Sequence, residues 1–195
     1  LVTERFLRTT RVLTEVTVRV RPVPAERRYE GWRWPDFATG TEAMRTLAQA
    51  GLLPTVLRLS DEAESGLNLA HPDAIGQENP DGACLMITGY EGEPAVVAAR
   101  RAAVATVLEA RGGRCVGTEA GEAWVRGRFD APYLRDALLD VGVLVETLET
   151  ATFWSRRQQV YDAVREALEA SLGEGTLVLC HVSHVYETGA SLYFT

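Results

Sequence analysis

The sequence predicts an α+β fold: a largely antiparallel sheet of ferredoxin-like units with helices packed on one face. Three observations favour this fold. Segments with the two-residue period of strands alternate with segments of helical period in three successive rounds. The last round ends in a hairpin. The composition of the 195 residues, 46% hydrophobic and 24% charged, is typical of a folded domain with a substantial core.

The first round is marked by valines at every second position near the N-terminus. We predict strands over residues 10–20, 29–34 and 55–59. Thr41 is suited to cap a helix before the third of these strands, because its hydroxyl can accept a hydrogen bond from a free backbone N–H. The stretch 65–82 is rich in Gly, Asn and Pro and is predicted to be a loop.

The second round begins with a predicted strand at 84–90. A helix follows with Pro94 at its first position, where the missing N–H has no helical partner to lose. Residues 114–116 can form a short strand. The stretch 119–141 has a helical period and is predicted to form two helices divided at Pro132.

The third round starts with a predicted strand at 143–150. Ser155 is expected to cap the next helix, and Gln158, three residues later, completes the pattern of a capping box. Strands at 177–186 and 190–194, joined by a tight turn, are predicted to form a terminal hairpin.

Charge and cysteine content exclude some classes of partner and location. The net charge of −7 argues against nucleic acid, because binding the phosphate backbone requires clustered Lys and Arg. Three widely spaced cysteines, Cys84, Cys115 and Cys180, predict a reduced, cytoplasmic protein. No apolar run reaches the roughly 18 residues of a membrane helix, so we expect no integral membrane segment and at most a peripheral association with membranes. The sequence leaves open whether the protein forms a homodimer.

Known catalytic motifs are missing, and the histidines do not predict a metal site. Phosphate loops, dinucleotide fingerprints and hydrolase elbows are absent from the sequence. His181 and His184 lie three residues apart in a predicted strand, which would turn their imidazoles to opposite faces. His71 lies in the predicted loop and adds no obvious third ligand. We therefore expect no bound metal.

Three polar side chains stand out within apolar segments. Arg58 interrupts a strand, where it is either an exposed edge arginine or a rigidly held group for an anion. Arg135 flanks a helical apolar stripe and on its own reads as a solvated charge. Tyr193 faces away from Leu192 and Phe194. Its phenol either meets water at the sheet surface or, beside a cation, transfers a proton.

Five segments together resemble a known family. They lie in one order along the chain and read LTEVTVRVRPVP from residue 13, TVLRLSD from 55, APYLRD from 131, VETLETATFW from 145 and VSHVYETGASLYF from 182. This series is similar to the substrate-binding, or cap, domain of FAD-linked oxidases of the vanillyl-alcohol-oxidase type. Within that superfamily it most resembles the family of alkyldihydroxyacetonephosphate synthases, which act in ether-lipid synthesis.

The resemblance implies a site and a cofactor. Arg58, Arg135 and Tyr193 match two substrate-binding arginines and a proton-transfer tyrosine of that family, and His181 and His184 would neighbour the cofactor. FAD would be held mainly by a domain outside this chain. The substrate would be a small molecule or lipid phosphate, and the reaction would replace the acyl group of acyl-dihydroxyacetone phosphate by an alkyl group.

Departures from the family pattern leave alternatives open. Where the synthases carry an arginine and a glutamine, this chain has His181 and His184. An FAD-dependent oxidoreductase acting on 2-hydroxy acids or alcohols, or a ferredoxin-like binding module without catalysis, therefore stay possible. The chain starts without Met, and we interpret residues 1–20 as the tail end of an FAD-binding domain and 21–195 as a cap domain truncated at its C-terminus. Alone, this fragment is expected to be inactive.

Overall fold

The computed structural model describes residues 14–67, 84–173 and 175–195, in which seven strands form one sheet. The strand order is β4-β1-β3-β2-β6-β7-β5, and every pairing is antiparallel. The strands are β1 (Glu26–Trp34), β2 (Val56–Ser60), β3 (Cys84–Gly92), β4 (Arg114–Cys115), β5 (Leu148–Phe153), β6 (Cys180–Val182) and β7 (Gly189–Phe194). The predicted α+β class with a largely antiparallel sheet is confirmed.

Six α-helices accompany the sheet within the described part of the chain. They are α1 (Phe37–Gln49), α2 (Glu62–Leu67), α3 (Pro94–Ala110), α4 (Glu119–Gly127), α5 (Ala131–Asp140) and α6 (Arg157–Leu172). The predicted start of a helix at Pro94 is confirmed. The predicted division of 119–141 is also confirmed, since Pro132 lies in the first turn of α5.

The core lies between one face of the sheet and helices α1, α3 and α6. Strand residues on this face alternate with residues on the other face, and the register places them in continuous rows across the sheet. The helices contribute Met44, Leu47, Val104, Leu108 and Tyr161, and the strands contribute Trp32, Trp34, Leu59, Met86, Leu192 and Phe194. Helix α4 is the exception, because it packs against β1 from the opposite face.

The N-cap of helix α1 lies five residues earlier than the sequence predicts. Asp36 is its N-cap, and its carboxylate accepts a hydrogen bond from the Thr39 N–H at 2.7 Å. Thr41 lies inside the helix and donates its hydroxyl hydrogen to the Phe37 carbonyl at 2.7 Å. The prediction that Thr41 caps the helix is therefore wrong, because Asp36 supplies the acceptor first.

The strand predicted at 10–20 is not formed in the part of it that the structure describes. Residues 14–20 have no regular structure, and Val16, Val18 and Val20 are 58%, 65% and 80% exposed. A strand requires a neighbour to complete its hydrogen bonds, and no described strand pairs with this segment. Residues 10–13 lie outside the described ranges.

Two further differences concern the segments around β2 and α6. Residues 65–67 complete helix α2, while the rest of the predicted loop, including His71, lies outside the described residues. Ser155 is part of a short 3₁₀ turn, Trp154–Arg156, and forms no capping box with Gln158. The turn places the start of α6 two residues beyond the predicted cap.

The terminal strands differ from the prediction because pairing with β7 selects their bounds. Leu148 pairs with Phe194 and Phe153 with Gly189, so β5 lies several residues later than the predicted strand at 143–150. Strand β6 ends at Val182, and beyond it a single bridge joins Val185 to Ala190. The predicted hairpin is therefore present, but its first arm is shorter.

A buried carboxylate, Asp61, ties the end of β2 to α2 and α6. It accepts a hydrogen bond from the Glu64 N–H at 2.8 Å, which caps α2, and another from the Tyr161 hydroxyl at 3.0 Å. Arg165 donates in turn to the Tyr161 oxygen at 2.9 Å. Asp61 has no exposed surface, and this burial raises its pKa to about 6 despite the hydrogen bonds that favour the charged form.

The raised pKa of Asp61 makes the free energy of unfolding depend on pH. Below pH 4 the carboxyl is protonated in both the folded and unfolded states. Between about pH 4 and 6 only the folded state keeps the proton, so stability falls as the pH rises, by roughly 3 kcal/mol for a pKa shift from 3.8 to about 6. In Asp61→Asn this fall should disappear. Urea denaturation of both proteins from pH 3.5 to 7 measures it; parallel curves for the two would contradict the assignment.

Gly121 allows α4 to lie against β1. A Cβ at this position would be 2.6 Å from the Tyr29 carbonyl carbon and 2.7 Å from the Glu30 nitrogen. We expect Gly121→Ala to displace α4 and to lower the free energy of unfolding by about 1–3 kcal/mol. Gly66→Ala in α2 is the control, because a Cβ there has no atom within 4 Å. A Gly121→Ala protein as stable as the Gly66→Ala protein would show that α4 is not closely packed.

Candidate functional site

The sheet face that α1, α3 and α6 leave uncovered carries a row of polar side chains. Ser60 pairs with His181, His181 with Tyr193, and Tyr193 with Glu149. Directly paired residues share a face, so these side chains lie together across β2, β6, β7 and β5. Arg58, two residues before Ser60, lies on the same side. The predicted orientation of Tyr193, away from the core, agrees with this register.

Three side chains at one end of this row form the Arg58–Glu64–His181 cluster. Arg58 Nη2 donates a hydrogen bond to Glu64 Oε1 at 2.8 Å. The same nitrogen lies 3.0 Å from His181 Nδ1, which is 3.2 Å from Glu64 Oε1. Helix α2 positions Glu64, and strands β2 and β6 position the other two residues.

Glu64 is ionised although it is buried. Its side chain is 8% exposed. Burial by itself raises the pKa of a carboxyl, but the hydrogen bond with His181 and the positive charge of Arg58 outweigh this effect and hold the pKa of Glu64 at about 2. The cluster therefore contains a carboxylate in direct contact with a guanidinium, and each charge compensates the other.

Tyr193 is held against the other side of His181. The two rings are 4.8 Å apart between centroids and 25° from parallel, which is a stacked arrangement. His181 is itself 8% exposed, and the cluster restrains its ring. The structure thus brings two predicted site residues, Arg58 and Tyr193, to the same place with His181 between them.

His184 lies on the same face, and the predicted placement of the two histidines on opposite faces is wrong. Its Nδ1 is 3.4 Å from Ser191 Oγ and 3.6 Å from Glu149 Oε1. The alternation of a strand no longer applies, because β6 ends at Val182. Among the residues that the structure describes, no group of three His, Cys, Asp or Glu side chains is arranged to hold a metal ion.

Arg135 is not brought to the cluster by the described part of the chain. It lies on α5 with its side chain exposed, and no hydrogen bond or ion pair to it occurs within 14–67, 84–173 and 175–195. Tyr133, Leu139 and Val141 nearby are also exposed. Its predicted substrate-binding role stays a prediction.

An open depression of about 500 Å³ lies elsewhere on the protein. It is formed where the end of α1 approaches the hairpin turn, and it contains none of the predicted site residues. Arg45, Gln49, Trp154 and Glu187 are among the residues that line it. The Arg58–Glu64–His181 cluster therefore lies on the open sheet face and not in this depression.

Two acidic residues of the site were missed from the sequence. Glu149 lies in β5 and pairs with Tyr193 of β7, and Glu64 lies in the short helix α2. The signal for Glu64 was present, because Asp61 followed three residues later by a glutamate is the pattern of a helix N-terminus. Nothing in the sequence indicated that this helix places Glu64 in contact with Arg58.

Comparison with known proteins identifies relatives over most of the chain. Alkyldihydroxyacetonephosphate synthase of Trypanosoma brucei brucei is 29% identical over 205 residues, which cover 94% of this chain and 33% of that protein. The Dictyostelium discoideum synthase is 28% identical with the same shares covered. A protein of Escherichia coli (strain K12), described as the uncharacterized FAD-linked oxidoreductase YgcU, is 26% identical and 38% covered. The chain spans about a third of the length of these relatives.

Solved structures show the same fold. A structure of alkyldihydroxyacetonephosphate synthase superposes with a TM-score of 0.77 at 28% identity, covering 88% of this chain and 36% of the synthase chain. A p-cresol methylhydroxylase structure, at 14% identity, gives a TM-score of 0.58 and shows the fold alone. Residues 23–195 match the family described as FAD linked oxidases, C-terminal domain. The chain belongs to this family.

Proposed function

We propose that this chain is the substrate-binding domain of an FAD-dependent enzyme that, like alkyldihydroxyacetonephosphate synthase, exchanges an acyl for an alkyl group on acyl-dihydroxyacetone phosphate. The observation that carries the proposal is the stacking of Tyr193 on His181, whose other side contacts Arg58, on an open sheet face. The similarity to two synthases over 94% of the chain supports it.

The donor set of this face fits a flavin held by another domain. A phenol, two imidazoles and a guanidinium lie on the sheet face opposite the core, and such groups donate to the ring nitrogens and oxygens of a flavin or substrate. The sequence has no glycine-rich phosphate loop to hold a pyrophosphate. FAD, when bound, supplies the electron-accepting chemistry, and this domain supplies substrate binding and proton transfer.

Each predicted residue has a specific task in the proposal. Arg58 and Arg135 provide the guanidinium groups that bind the anionic substrate. Tyr193 acts as acid or base at the carbon next to the substrate carbonyl. The stack on His181 restrains the position of its ring, and with it the position of the hydroxyl oxygen. His184 and Glu149, 3.6 Å apart, extend the polar row toward β5.

A second candidate is an FAD-dependent oxidoreductase acting on 2-hydroxy acids or alcohols. The pairing of Arg58 with Glu64 favours it, because a compensated guanidinium suits a substrate of low charge. The oxidoreductase relative from Escherichia coli covers 93% of this chain. Both candidates use the same face and the same tyrosine.

A direct assay separates the two candidates. The full-length protein, supplied with FAD, is incubated with acylated dihydroxyacetone phosphate and a long-chain alcohol, and separately with a panel of 2-hydroxy acids. Release of fatty acid with formation of the alkyl product supports the first candidate. Flavin reduction by a 2-hydroxy acid without such exchange supports the second. Neither reaction at any substrate would oppose both.

Tyr193→Phe tests the proton-transfer role. Removal of the hydroxyl leaves the ring, and thus the stack on His181, in place. We expect kcat of the full-length enzyme to fall by a factor of about 100 or more, while the visible spectrum of the bound flavin is retained. Turnover undiminished in this variant would exclude Tyr193 as the acid or base.

Arg135→Lys tests whether α5 contributes to substrate binding. A lysine keeps the charge but loses the fork of parallel N–H groups that matches a phosphate or carboxylate. We expect KM for the anionic substrate to rise about tenfold, the cost of roughly one hydrogen bond to a charged group. Arg111→Lys is the matched control, since Arg111 is also exposed but lies at the end of α3, which packs on the other face. Equal KM values for the two variants would remove Arg135 from the site.

A further inference from the structure

The guanidinium of Arg58 is already occupied at the nitrogen that matters for binding phosphate. Its Nη2 contacts both Glu64 Oε1, at 2.8 Å, and His181 Nδ1, at 3.0 Å. An arginine grips a phosphate or carboxylate with two parallel N–H groups, either from the two terminal nitrogens or from Nε and Nη2. Both arrangements use Nη2. Glu64 takes one N–H of Nη2, and the His181 ring crowds the same nitrogen, so neither fork is fully open to a substrate.

The charge of Arg58 is also compensated at close range. Glu64 is ionised and buried, and its second oxygen, Oε2, is buried with no hydrogen-bond partner among the described residues. Glu149 adds a further carboxylate on the same face with 36% of its side chain exposed. Glu64 thus offsets the charge of Arg58, and Glu149 lies farther away, in β5 beyond β6 and β7. Together these three groups carry a net charge of −1, which repels an approaching dianion.

Arg135 differs from Arg58 in this respect. Its side chain is exposed and has no carboxylate partner in the described parts of the chain. Among the described residues nothing offsets its charge or occupies its two N–H forks. The two arginines to which the family resemblance assigns substrate binding are therefore unequal in the structure.

We propose that Glu64 is a specificity-determining residue: by pairing with Arg58 it makes this end of the site accept an uncharged or singly charged oxygen group, such as a carbonyl, hydroxyl or carboxylate, and reject a phosphate dianion. The inference rests on the proposed function only in taking this face as the substrate site. In this proposal Arg58 donates a single hydrogen bond to the substrate. A doubly charged group of the substrate is bound by Arg135 instead.

The test compares ligands of different charge on the full-length protein. Inorganic phosphate at pH 8, mainly a dianion, and lactate, a monoanion, are titrated calorimetrically into the unaltered protein, Glu64→Gln and Glu42→Gln at constant ionic strength. Glutamine keeps the shape and an acceptor for Arg58 but removes the charge. Glu42, on α1 at the helix-covered side of the sheet, provides the same change of net charge at a distance.

Charge arithmetic gives the expected result. Removing one negative charge about 6 Å from a ligand in a water-like medium strengthens binding of a monoanion about threefold, and binding of a dianion by the square of that factor, about tenfold. We expect these two factors for Glu64→Gln and no change in the phosphate-to-lactate affinity ratio for Glu42→Gln. Equal factors for the two ligands in Glu64→Gln, or no binding of either ligand to any of the proteins, would overturn the proposal.

A double variant keeps the proposal testable if Glu64→Gln folds poorly. Arg58→Gln with Glu64→Gln removes both charges and leaves no unpaired buried ion. If Arg58 does not bind the dianion, phosphate affinity in the double variant stays within threefold of the unaltered protein. A loss of tenfold or more would show that Arg58 grips phosphate directly and would overturn the proposal. If the ligand affinities change as expected but the full-length protein catalyses neither proposed reaction, the result would count against the proposed function and not against the role of Glu64.

Discussion

The burial of a charged carboxylate at Glu64 is the constraint on which the site depends. An ion removed from water must be compensated by partners in good geometry, or the cost reaches several kcal/mol. Arg58 and His181 provide that compensation. Because each belongs to a different strand, the requirement of one side chain fixes the relative positions of β2, β6 and α2. The ring of Tyr193 then takes its place from His181.

The same strands form the apolar face of the sheet, which packs in the core, and the polar face, which carries the site. Leu59 and Leu192 are fully buried in the core, while their neighbours Arg58 and Tyr193 form the polar row. A shift of pairing by one residue would exchange the two sets. The apolar side, covered by three helices, therefore fixes the register that places the polar side, and the stability of the core determines the geometry of the site.

The sequence correctly predicted features that depend on the local period of apolar residues. It failed where contacts with residues distant in the chain determine the structure. Alternation correctly assigned Tyr193 to the polar face, and it marked Arg58 as unusual. It also predicted a strand at the N-terminal valines, which have no pairing partner in the described chain, and it placed the strand before α6 too early because β7 selects the register of β5. Glu64 was missed because its role arises from a contact with His181, which lies 117 positions along the chain.

The sheet is joined in the middle by few residues. Strands β4, β1, β3 and β2 come from the first part of the chain and β6, β7 and β5 from the last. In the described part of the chain they join where Leu59 pairs with Val182 and Ser60 with His181, and the Asp61 N–H donates to the Cys180 carbonyl at 2.8 Å. Contacts between distant segments form against a larger entropy of loop closure than local ones. The polar row, which crosses β2, β6, β7 and β5, therefore exists only after the two groups of strands have joined. A change that weakens this junction would separate Arg58 from His181 and Tyr193 and so divide the binding surface between two groups of strands.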